Sequence, residues 1–70
     1  MKKVEELRRR VQELMKSSEH RSQKLHGISL TRAELENISD LCDLYIEEGN
    51  FKERIIFANE RAVLTKCGIL

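Results

Sequence analysis

Cys42, Cys67, His20 and His26 are the residues of this chain best suited to metal or thiol chemistry, and their placement serves neither purpose well. A structural zinc site holds its cysteines at C-x2-4-C spacing, whereas Cys42 and Cys67 are far apart along the chain. Both stand among apolar residues, where a cysteine acts as a small buried hydrophobe. Ser17, Ser18 and His20 are neighbours, yet no feature beside them presents an activated nucleophile or an oxyanion hole. No glycine-rich phosphate loop occurs, since the chain has only three glycines. The expectation is therefore a non-enzyme with no metal and no cofactor.

Two other patterns bear on partners. Cys67-Gly68-Ile69-Leu70 has the C-a-a-X form of a prenylation signal, with Gly68 a weak aliphatic substitute. The favoured reading is a helix end whose Cys67 and Ile69 pack inward. Residues 1–26 hold eight Lys/Arg against four Glu, and residues 27–70 hold five against eight Asp/Glu. This split from +4 to −3 hides behind a net charge of +1 and suits docking between oppositely charged surfaces. Lys2, Lys3, Arg8, Arg9, Arg10, Lys16, Arg21 and Lys24 could track a nucleic-acid backbone. Glu5, Glu6, Glu13 and Glu19 interrupt them, however, and no aromatic residue is at hand to stack on a base.

Those side chains must be positioned by helices. The absence of Pro and the scarcity of Gly favour uninterrupted segments, and an aliphatic core follows from having three aromatic residues and no Trp. Seventy residues make one small domain, here taken as 1–70. No secretory apolar region or membrane-length run occurs, and the two cysteines fit a reducing compartment, so a cytoplasmic setting is expected.

A first, basic amphipathic helix is predicted over residues 1–26, from Lys2 to Leu25, with Gly27 as its stop. Val4, Leu7, Val11 and Leu14 follow the 3-4-3 spacing of a coiled-coil seam, flanked by Lys3, Arg8 and Arg10. In a parallel homodimer Lys3 would oppose Arg8 of the other copy, a repulsion that selects partners. Thr31 and Glu34 form a capping box, with Leu30 and Leu35 as a hydrophobic staple, so a second helix should run to Glu48 and stop at Gly49. Glu36, Asp40, Asp43 and Glu47 make an acidic stripe along it. Asn50 and Glu53 repeat the capping pattern, which predicts a third helix folded back on the second as an αα-hairpin over 31–67.

That third helix carries apolar residues on opposite sides: Phe51, Ile55, Ala58 and Ala62 on one, Ile56, Phe57, Val63, Leu64 and Cys67 on the other. Two other short helices would struggle to cover both. The fold class expected is all-α: three helices, an αα-hairpin preceded by a longer coiled-coil-like first helix. The function expected is protein–protein interaction, as adaptor, assembly chaperone or inhibitor, through helix–helix association in a dimer or heteromer. Val4, Leu7, Val11, Leu14, Phe51, Ile55, Ile56, Phe57, Val63 and Leu64 are the candidate partner-binding residues. Lys3, Arg8, Arg10, Glu36, Asp40, Asp43 and Glu47 are the charges that would choose the partner. A nucleic-acid-binding regulator using the first helix is the alternative, and a prenylated membrane-associated subunit a third reading.

Overall fold

Val4, Leu7 and Val11 recur at three- and four-residue intervals, which on a helix makes one apolar stripe. The computed structural model, which describes residues 2–17 and 22–70, carries them on α1 (Lys2–Ser17). There they are buried as α1 packs against α2 (Arg32–Glu48) of the same chain. The two helices run antiparallel: Arg8 Nε meets Asp43 Oδ1 at 3.1 Å, while Arg32 Nη1, near the start of α2, donates to Met15 O at 2.7 Å. That bond and another from Gln23 Nε2 to Leu14 O satisfy carbonyls that the last turn of α1 leaves without helical partners.

The second helix forms as its capping residues dictate. Thr31 Oγ1 accepts from Glu34 N at 3.2 Å, and Glu34 Oε1 accepts in return from Thr31 N at 2.9 Å. Leu35, Ile38, Leu41 and Cys42 then fall on one face and are all buried. The helix ends where Gly49 turns left-handed, at φ 79°, with its N–H bonded to Tyr45 O. A side chain there would meet the steric penalty that glycine lacks.

Two expectations are corrected. The first helix does not reach Leu25. Gln23–Leu25 is strand β1 and Ile28–Leu30 is strand β2, paired antiparallel with Leu25 opposite Ile28. His26 and Gly27 form the tight turn between them, both at positive φ (52° and 80°), as a type I′ hairpin turn requires. Gly27 thus closes a hairpin rather than a helix. The period-two pattern puts Leu25 and Leu30 inward and Lys24 and Ser29 outward, and the pair gains its stability by packing on α2 and α3. The fold is therefore mostly helical, with three helices and a small hairpin.

The third helix also starts late. α3 spans Ala58–Lys66, and Phe51 to Phe57 lie outside it, so the αα-hairpin of 31–67 is replaced by a non-helical connection. Asn50 Oδ1 accepts from Lys52 N at 2.7 Å, two residues on, instead of capping a helix through Glu53. This is an Asx turn, the local competitor of the N-cap for the same side chain. Arg54 N completes the turn by donating to Phe51 O. Glu60 then supplies half of a capping box for α3, its Oε1 accepting from Phe57 N at 3.2 Å.

One core results. Val4, Leu7 and Val11 from α1, Leu25 and Leu30 from the hairpin, Leu35, Ile38, Leu41 and Cys42 from α2, and Phe51, Val63 and Leu64 from the rest are all buried. Phe51 lies against Tyr45 with ring centroids 4.8 Å apart at 49°, a tilted arrangement favoured by aromatic quadrupoles. The radius of gyration, 11.1 Å, is what a folded chain of this length should have, about 11 Å.

Candidate functional site

The cysteines come first, because their chemistry depends on their surroundings. Cys42 is free and buried in α2, and its thiol is pushed up to about 12, chiefly by desolvation, with Asp43 and Cys67 adding to the shift and Arg8 opposing it. Cys67, half-buried at the end of α3, is also raised by desolvation. A reactive cysteine needs its thiolate stabilised, and both environments do the reverse. Among the described residues, no three His, Cys, Asp or Glu gather to hold a metal ion, and no helix is long and apolar enough to cross a membrane. Ser18, His20 and Arg21 lie outside the described residues.

The ten apolar candidates separate into two groups. Val4, Leu7, Val11, Phe51, Val63 and Leu64 lie in the core of the single chain, and Leu14 and Ile56 are half-buried against it. Ile55 and Phe57 stand out, at 74% and 58% exposure. They flank a shallow hollow of about 370 Å³ that also touches Leu41, Asn37 and the charged side chains of Glu53 and Arg54. The buried carboxylate of Glu60 forms its inner edge, its Oε2 accepting from Asn37 Nδ2 at 3.2 Å. Glu60 thereby ties α3 to α2 beneath the two exposed side chains.

The candidate charges separate similarly. Arg8 is paired with Asp43 within the chain, which joins basic α1 to acidic α2. Glu36 pairs with Arg32 one turn earlier, and Asp40 and Glu47 are exposed on α2. Lys3 and Arg10 leave the seam and line a second hollow, of about 520 Å³, together with Glu6, Leu7, Lys24, Leu25, His26 and Cys67. Lys66 stands at its edge, where its Nζ donates to His26 O at 3.0 Å, and the Lys3 ammonium lies over Gly68.

Reading the first 26 residues as a continuous helix concealed this meeting of α1, the hairpin and the end of α3. The signal that could have found it is His26-Gly27 between two short alternating runs, Gln23-Lys24-Leu25 and Ile28-Ser29-Leu30. The C-terminal turn packs as the inward-facing helix end requires. Cys67 and Ile69 rest half-buried against the core, with Ile69 N bonded to Leu64 O at 2.9 Å. Compared with protein-family models, curated proteins and solved structures, the chain matches none of them.

Proposed function

We propose that the protein is a non-enzymatic protein–protein interaction module that pairs with a second copy of itself through the face around Ile55 and Phe57. The observation that carries this reading is the exposure of those two large apolar side chains, side by side on a non-helical segment. At 74% and 58% exposure they forgo part of the roughly 1.5–3 kcal/mol that full burial of each would bring, which an occupied interface would recover. The rim supports a second copy as occupant. Glu53 and Arg54 offer both signs of charge beside the patch, and a two-fold axis would set each against its opposite on the other copy. The raised thiols of Cys42 and Cys67 argue against a cysteine nucleophile. The alternative, a nucleic-acid-binding regulator, has less support, because the hollow where Lys3, Arg10 and Lys24 meet is lined by no Phe, Tyr or Trp, and His26 is its single ring.

The test is molar mass by light scattering for the full chain and for Ile55→Asp/Phe57→Asp. The expected result is a dimer at roughly 0.1 mM, within reach of a micromolar Kd, and a monomer with unchanged circular dichroism for the variant. A full chain that stays monomeric at that concentration overturns self-association.

A further inference from the structure

Lys3 and Arg10 on α1 and Lys24 on β1 converge on the hollow of about 520 Å³, whose floor is apolar: Leu7, Leu25 and Cys67. Glu6 is the one carboxylate on its wall. Four other cations among the described residues meet carboxylates: Arg8 with Asp43, Arg9 with Glu13, Arg32 with Glu36, and Lys52 with Glu48. The side chains of Lys3, Arg10 and Lys24 have no ion-pair or hydrogen-bond partner among the described residues. Three cations held around one concavity repel one another, and low-dielectric walls strengthen the field they share. An anion placed among them relieves that repulsion. The volume lies within the range of about 300–1,000 Å³ usual for small-molecule sites and exceeds what a bare inorganic ion would fill.

We propose that this hollow binds a small amphipathic anion: a phosphate monoester or carboxylate held by Lys3, Arg10 and Lys24, with its apolar body laid on Leu7, Leu25 and Cys67. The apolar floor is what separates this ligand from a nucleic acid. A sugar–phosphate backbone gains nothing from leucine, and the lining offers no Phe, Tyr or Trp to receive a base, the imidazole of His26 being its single ring. The site shares no residue with the Ile55/Phe57 face, so the two proposals stand or fall separately.

The experiment is an NMR titration of the full chain with octyl phosphate, octanoate, inorganic phosphate and octanol, paired with iodoacetamide alkylation of Cys67. Cys42, buried with its thiol pushed up to about 12, stays silent while the protein is folded. Octyl phosphate or octanoate should saturate below about 1 mM, shift the amides of Leu7, Arg10, Leu25 and His26, and slow alkylation of Cys67. Comparing these two probes identifies the preferred head group. Inorganic phosphate and octanol should each bind at least about tenfold more weakly. Lys3→Gln/Arg10→Gln should weaken the better probe by about tenfold with the fold intact, and Lys24→Gln, which leaves α1 untouched, by about threefold. Three results overturn the proposal: inorganic phosphate binding as tightly as the octyl ligands, octanol doing so, or duplex DNA displacing the octyl ligand with an affinity that falls steeply with salt.

Discussion

Thr31 and Asn50 stand before similar stretches of chain. Each is a good N-cap residue, each has a Glu three positions on, and each is followed by apolar side chains. After Thr31 the apolar residues Leu35, Ile38, Leu41 and Cys42 all face one way and reach the core, and the capping box forms. After Asn50 a helix would put Phe51 and Ile55 on one side and Ile56 and Phe57 on the other. The chain instead buries Phe51 against Tyr45, uses Asn50 in an Asx turn, and delays α3 until Ala58. A cap is worth about 1 kcal/mol, less than the burial of one large side chain, so the cap follows where packing leads.

That contrast should be most visible at the apolar residues behind each cap. Leu35→Ala is expected to cost about 2–5 kcal/mol in urea unfolding, the range for emptying a packed core position. Ile55→Ala, measured on the monomeric state, should stay within about 0.5 kcal/mol, as surface substitutions do. A large loss at Ile55 would mean that the 51–57 segment contributes to the core as α2 does.

The boundary between the two regions comes next. Gly49→Ala places a Cβ at φ 79° and should cost about 1–2 kcal/mol through left-handed strain alone, since nothing lies within 4 Å to clash with it. Smaller again is the direct comparison of the caps. Thr31→Ala should lose about 1 kcal/mol, whereas Asn50→Ala should lose only a few tenths, because its side chain bonds a turn rather than a helix. Equal losses at both would erase the distinction drawn above.

The α2 helix could be read from the sequence to within a residue, because its start, its stop and its apolar period agree. Agreement across those levels is what specifies local structure. The first helix was legible through Val4, Leu7 and Val11, but not its end: strands of three residues are too short for their period-two pattern to stand out beside a helical one. At Asn50 the reading failed because Asx turn and N-cap share a residue preference, and only tertiary packing chooses between them. For the candidate sites, Ile55 and Phe57 stood as two of ten apolar residues expected on a helix, and Lys3 and Arg10 as charges flanking a helix seam. The sequence could not bring Lys24 to the hollow beside Lys3 and Arg10, or Lys66 to His26 O, both of which depend on the hairpin turning back at His26 and Gly27.

The smallest expected effect concerns Glu34, which both caps α2 and reaches Asn59 Nδ2 of α3 at 2.9 Å. The hydrogen bond from Thr31 N, then that from Asn59, holds its carboxyl below the ordinary value near 4.5. A lowered folded value contributes stability above the unfolded value and loses it as pH falls through the folded one. The stability advantage of the native protein over Glu34→Gln should therefore shrink as pH falls below about 4.5, as measured by urea midpoints across an acid series.

The hydrogen bond from Lys66 to His26 joins residues 40 positions apart. Contacts so distant in the chain are slow to find, because the intervening loop must close before they are rewarded. A helix of nine residues has little stability in water by itself, so α3 gains its order by docking on β2 and α2. That dependence predicts an order of assembly, with the local turn at His26 and Gly27 closing early and α3 docking late, which φ-values at Leu30 and Val63 would check. Val63 and Leu64 of α3 are buried in the one core, so α3, and Cys67 with it, keeps its place only while that core is intact.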